Sequence, residues 1–168
     1  MTSSDHLLNA PSVARVAQAL RAAGSRAEVI ALAETARSAE EAADSIGCEL
    51  GAIVKSLVFT VGGQPVMALV AGDRQCDTKA LPGILGLEGK CRRADADIVR
   101  AATGFSIGGV APLAHPSPLP LALDSSLGRF AQIYAAAGHP HCVFATTLDE
   151  LRALTDGRLS DSLGLPRN

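Results

Sequence analysis

Residues 52–72 read AIVKSLVFTVGGQPVMALVAG, and this stretch constrains the fold more than any other. Two apolar runs, 52–61 and 65–72, flank Gly62-Gly63. That is the pattern of a β-hairpin with a tight glycine turn. Alternation along the first strand places Ile53, Lys55, Leu57 and Phe59 on one face and Val54, Ser56, Val58 and Thr60 on the other. Lys55 therefore points the same way as three apolar side chains. Such a lysine either reaches water along its methylene stem or lines a cavity. Inside a cavity it is a base if burial lowers its pKa, or it holds an anion such as phosphate if it stays charged.

Helical patterns surround this hairpin. NAPSVARVAQALRAAG carries Pro11 in a first turn, an apolar stripe of Val13, Val16, Ala17 and Leu20, and a stop at Gly24. AEVIALAE, residues 27–34, reads as a strand. In SAEEAADSIG, Ser38 and Glu41 form a capping box and Gly47 ends the helix. TKALPGILG predicts a short helix interrupted by Pro82 and Gly83, GKCRR a strand, and ADADIVRAATG a helix closed by Gly104. LPLALD, RFAQIYAAA and HCVFATT are three further strands, and Thr147 with Glu150 caps a last helix, TLDELRALTDG. Hairpins and helices mix without regular alternation, so the expected fold is α+β: one domain, with a mixed, mainly antiparallel sheet and helices around it. Residues 1–10 are expected to be a flexible N-terminus and 11–168 the domain.

Four Phe, one Tyr and no Trp leave the core to Ala, Val, Leu and Ile. The formal net charge of −2 argues against a broad basic face that wraps nucleic acid. Contact with only the end of a nucleic acid is compatible with it. The chain does not open on a basic segment followed by an apolar one, and no apolar run is long enough to span a bilayer. A cytoplasmic protein without membrane contact is expected. Cys48, Cys76, Cys91 and Cys142 are far apart and show no C-x-x-C spacing, which favours reduced thiols over a zinc site.

Residues 104–120, GFSIGGVAPLAHPSPLP, hold three glycines and four prolines but only one ionisable side chain, His115. Glycine lets a backbone approach a ligand closely, and proline stiffens a loop and removes an N–H. Gly108-Gly109 and Pro112 could thus offer bare backbone groups to a substrate, or simply make a turn. The spacing is not that of a nucleotide-binding fingerprint, and no G-x-S-x-G elbow marks a serine hydrolase. His139 and His141 flank Pro140 beside Cys142, but a metal site there lacks a clear third ligand. Asp73 and Arg74 follow the second hairpin strand and read either as a solvated turn or as groups that orient a ligand.

Taken together, AIVKSLVF, VAGDRQCDTKAL, ATGFSIGGVAPLAH and IYAAAGHPHCVFATTLDEL resemble the YbaK/ProX family of aminoacyl-tRNA deacylases, which includes the editing insertion domain of bacterial prolyl-tRNA synthetases. The resemblance runs from about residue 11 to the C-terminus and rests on V-K-S-L, the G-x-x-x-P loop and the late A-G-x-x-x-x-V-F segment. It implies a YbaK-like curved sheet and a free-standing hydrolase that cleaves the ester of tRNA mischarged with a small amino acid such as Ala, Ser, Thr or Cys. It implies that Lys55 and Gly108 serve catalysis. It further implies that Gly109, Val110, Ala111 and Pro112 position the aminoacyl group, that Gly138 and His139 border its pocket, and that Asp73 is an acidic position of less defined role. The implied partners are the tRNA acceptor end and a synthetase, with no cofactor or metal.

An aminoacyl ester is already activated, so positioning a water and stabilising an oxyanion can supply much of the acceleration. The terminal ribose hydroxyl of tRNA can assist the water. Lys55 then acts as an electrostatic anchor, and a base role ranks second because it needs a much lowered pKa. A non-catalytic module binding an aminoacyl or nucleotide end, and a metal hydrolase using His139 and His141, are the competing functions.

Overall fold

The computed structural model describes residues 3–33 and 36–167. The predicted hairpin forms as β2 (Ile53–Val61) and β3 (Gln64–Ala71), paired antiparallel from Val54↔Ala71 to Val61↔Gln64. Every β3 residue from Val66 to Ala71 is fully buried. Both faces of the hairpin are covered. Val54, Val58, Met67, Leu69 and Ala71 join the main core with Val110 and Ala111. Phe59, Val61, Val66, Ala68 and Val70 join a second cluster with Leu81 and Leu163.

Before the hairpin come α1 (Ser3–Leu8), α2 (Pro11–Ala22), β1 (Val29–Ala31) and α3 (Ala39–Ile46). After it come β4 (Arg74–Cys76), α4 (Leu81–Leu85), β5 (Cys91–Arg93), α5 (Ala96–Thr103), β6 (Leu121–Asp124), β7 (Ile133–His139), β8 (Cys142–Thr146), α6 (Leu148–Thr155), β9 (Arg158–Ser160) and β10 (Gly164–Pro166). The large sheet runs β1-β8-β7-β2-β3-β6-β9, with β5 also on β2, while β4 and β10 form a separate pair. Five pairings are antiparallel; β2–β7, β3–β6 and β6–β9 are parallel. The α+β class with a mixed, mainly antiparallel sheet is as expected.

Local chemistry sets the helix ends. Ser38 Oγ accepts from Glu41 N at 3.1 Å, the N-cap half of a capping box, and donates to Glu41 Oε1 in place of the reciprocal backbone bond. Thr147 Oγ1 accepts from Glu150 N in the same way. On α2, Val13, Val16 and Leu20 are fully buried, each contributing about 1.5–3 kcal/mol of apolar burial. Ser12 Oγ donates to Gly138 O at 2.8 Å and ties α2 to β7.

Several elements depart from expectation. Helix α1 stands where no element was predicted. β1 is shorter than predicted, and Glu34, at the end of the predicted strand, lies outside the described residues. β4, β9 and β10 span three residues each, too short to show periodicity; tertiary pairing makes them.

Asp124, at the end of β6, joins β3, the turn that follows β6, and β10. It is buried, its Oδ2 accepts from Ala71 N at 3.1 Å, its Oδ1 accepts from Ser126 N at 2.9 Å, and Gly164 at the start of β10 packs on its carboxylate. Asp124→Ala leaves the buried Ala71 N–H without an acceptor and is expected to cost about 2–3 kcal/mol. A urea titration would show a lower midpoint with an unchanged slope, and Asp124→Asn would lose less.

Candidate functional site

β2 is paired with β3 along its whole length, but its other edge is shared. The β7 ladder takes Ile53 and Val54, and the β5 ladder takes Phe59 to Val61. Between them the edge opens, and the loop carrying residues 107–110 borders the opening. Two clefts meet there, of about 440 Å³ and 250 Å³, and Lys55, Ser56, Leu57, Ile107, Gly108 and Val110 line both.

Lys55 is half-buried, and its Nζ donates to the backbone carbonyl of Arg74 at the start of β4. Burial, and next the positive charge of Arg167, lower its pKa from the ordinary lysine value. Arg93 lines the larger cleft and Arg37 the smaller. Among the described residues lining the two, none is Asp, Glu or His. Cys76 lines the larger cleft, but burial pushes its thiol pKa up to about 12, so it stays protonated and is a poor nucleophile. The clefts therefore suit an anion and an electrophile held by backbone and cation, rather than an acid–base pair or a thiolate.

The loop is held from behind. Gly108 has φ +96°, which an L side chain rarely adopts. Gly109 lies so close to β7 that a Cβ on it would sit 2.9 Å from His139 Cα, and its N–H donates to Ser106 O at 3.0 Å. Ala111 and Pro112 are buried. His115 Nε2–H donates to Ala111 O at 2.8 Å, and Ala114 takes φ +68°. Ile107 at the loop tip is 61% exposed.

Of the sequence-predicted residues, Lys55, Gly108 and Val110 meet in the clefts. Gly109, Gly138 and His139 meet behind them, where His139 backs the loop. His139 Nδ1 accepts from His141 N at 3.1 Å, and burial, then the nearby His141, lower its pKa. Asp73 does not line either cleft. It is held by Arg129 through two bonds of 2.7 and 2.9 Å, and this pairing holds its carboxyl below the usual range. No group of three or more His, Cys, Asp or Glu able to hold a metal occurs among the described residues, and none of their helices is long and apolar enough to cross a membrane.

Ser56, Ile107 and Arg93 were not predicted as site residues. Ser56 and Ile107 adjoin predicted ones, but their exposure to the clefts follows from where β7 and β5 leave β2.

The family model of the aminoacyl-tRNA editing domain matches residues 33–154. An Enterococcus faecalis protein named as a candidate Cys-tRNA(Pro)/Cys-tRNA(Cys) deacylase, EbsC, is 30% identical over 126 residues, which span 74% of this chain and 76% of that protein. A proline–tRNA ligase of Maridesulfovibrio salexigens is 36% identical over 74 residues, 44% of this chain and 13% of the ligase. A solved structure described as a candidate trans-editing enzyme for prolyl-tRNA synthetase superposes with a TM-score of 0.86 at 40% identity, covering 92% of this chain and 98% of that one.

The backing of the loop is testable by itself. Gly109→Ala forces the loop off the backbone of β7 and is expected to cost about 1–3 kcal/mol. Chemical denaturation measures this; an unchanged midpoint would mean that the loop does not bear on His139.

Proposed function

The chain belongs to the aminoacyl-tRNA editing domain family, and from that membership we propose that it is a free-standing deacylase acting in trans, which hydrolyses the ester between tRNA and a wrongly attached small amino acid of the Ala, Ser, Thr or Cys class. The observation that carries this reading is the meeting of Lys55 with Gly108 and Val110 at both clefts. A lysine beside a rigid glycine loop matches a substrate that brings both an anion and an activated carbonyl. The match over 98% of a trans-editing candidate's structure supports action in trans. The smaller cleft supports a small amino acid by its volume of about 250 Å³. The name of the Enterococcus relative supports including cysteine.

In this mechanism the terminal nucleotide sits against Lys55, whose charge holds a phosphate or the ester oxygen. Arg93 adds positive charge on the same side. Gly109 N–H is taken by Ser106 O and Pro112 has none, so the N–H groups of Gly108 and Val110, which line the clefts, are the loop's donors for the oxyanion as water attacks; one such donor contributes on the order of 10²–10³ in rate. Water adds to the ester carbon, the tetrahedral intermediate collapses, and the ribose hydroxyl leaves with a proton. The products are the free amino acid and the uncharged tRNA end.

Lys55→Ala is expected to lower kcat/KM on a mischarged tRNA about a hundredfold or more while the melting temperature is kept. A panel of mischarged tRNAs measures it, and tight binding without turnover by the wild type would instead favour a binding module. The pH dependence separates anchor from base. Since the pKa of Lys55 is lowered, its charge is lost at lower pH than for an ordinary lysine. An anchor therefore makes activity fall as pH rises through that value, and Lys55→Arg moves the fall upward. A base makes activity rise over the same range. The linked stability effect has the opposite sense to the anchor's activity: between the lowered folded pKa and the ordinary value the unfolded chain binds more protons, so folding stability rises with pH there.

A further inference from the structure

Ser56 is the one hydroxyl-bearing residue that lines both clefts, and its Oγ is buried without a hydrogen-bond partner among the described residues. Leaving a buried hydroxyl unpaired is costly, and such groups are few in native proteins. Its backbone also has no ladder partner on the outer edge of β2. Gly72 N donates to Ile53 O at 2.8 Å. In an antiparallel pair this sets the alternation: Ile53, Lys55, Leu57 and Phe59 turn their N–H and C=O toward β3, while Val54, Ser56 and Val58 turn theirs away. Val54 is in register with β7, and Val58 O accepts from Ala94 N. Ser56 falls between, where the ladder is interrupted. Its carbonyl thus points to the interruption, and its buried, unpartnered Oγ lies beside it.

An aminoacyl ester differs from other acyl esters by its α-amino group, a donor that needs oxygen acceptors. The described lining of the clefts offers no carboxylate, and it carries three cations, Lys55, Arg93 and Arg37. Neutral oxygens are then the acceptors available to the amine, and Ser56 brings two. Resting on the deacylase reading, we propose that Ser56 receives the α-amino group of the substrate, through its edge carbonyl and its Oγ, and that this is how the protein distinguishes aminoacyl esters from amine-free ones. The geometry is that of an added strand one residue long: the substrate amine donates to the free edge of β2 as a neighbouring strand would.

The test uses the full-length protein and one RNA minihelix acylated either with alanine or with propionate, which lacks only the amine. Wild type is expected to hydrolyse the alanyl ester with a larger acceleration over buffer than the propionyl ester. Ser56→Ala is expected to lower kcat/KM about tenfold on the alanyl ester and leave the propionyl value unchanged, because the bond lost is worth roughly one such factor. The backbone carbonyl stays, so part of the preference persists. The melting temperature of Ser56→Ala should not fall, since Oγ has no partner to lose. An equal fall on both esters, or no fall on either, overturns the assignment to the amine. A lowered melting temperature overturns the claim that Oγ is held for substrate. If wild type hydrolyses neither ester and no other aminoacyl ester in the mischarged panel, the deacylase reading itself fails and takes this assignment with it.

Discussion

The shared outer edge of β2 is the constraint on which the site depends. A central strand ordinarily gives both edges to neighbours. Here β3 takes one edge completely, while β7 ends its register at Val54 and β5 begins at Phe59. The interruption lies in the middle of a strand whose neighbour β3 is fully buried from Val66 on. It is therefore a rigid opening: widening or closing it would move the hairpin that carries both cores. Interiors packed at crystal density do not deform cheaply. Lys55, on one face, and Ser56, on the other, inherit their positions from this strand without needing a loop of their own.

Electrostatics follow from the same placement. The chain as a whole carries a formal charge of −2, yet the residues around the opening are Lys55, Arg93 and Arg37 with no acid among the described lining. Asp73, the acidic residue assigned a role from the sequence, is paired with Arg129 through two bonds. Positive charge is thus concentrated where an anionic end can enter, while the rest of the chain is net negative. Such a distribution lacks the row of cations that attraction to phosphates along a duplex requires.

Much of the fold was legible because its signals are local. Gly62-Gly63 between two apolar runs, Ser38 with Glu41, and Thr147 with Glu150 each act within a few residues, and each does what its chemistry predicts. The placement of Lys55 on an apolar face was likewise a matter of strand alternation. What could not be read depends on partners distant in sequence. β4, β9 and β10 exist through pairing, not propensity. The three parallel pairings leave no hairpin signature. Ser56 looked like an ordinary member of the V-K-S-L strand, since nothing near it in sequence says that β7 stops two residues earlier. The pairing of Asp73 with Arg129, 56 residues away, is likewise invisible to spacing.

The GFSIGGVAPLAHPSPLP segment shows why a site can be poor in side-chain chemistry. Preorganised backbone donors help a reaction only if they need not reorganise when charge develops. The loop meets that condition through contacts on its far side. Gly109 lies against His139 Cα, Gly138 against Ser12 O, and His115 holds Ala111 O. Ala114 keeps φ +68°, a conformation costing about 1–3 kcal/mol that persists only when surroundings over-determine it. His139 spends its Nδ1 on the His141 N–H. Its backbone is the wall on which Gly109 rests. A side chain on Gly109 would separate loop from wall, which gives a physical reason for two adjacent glycines here: one for its dihedral, the other for its distance.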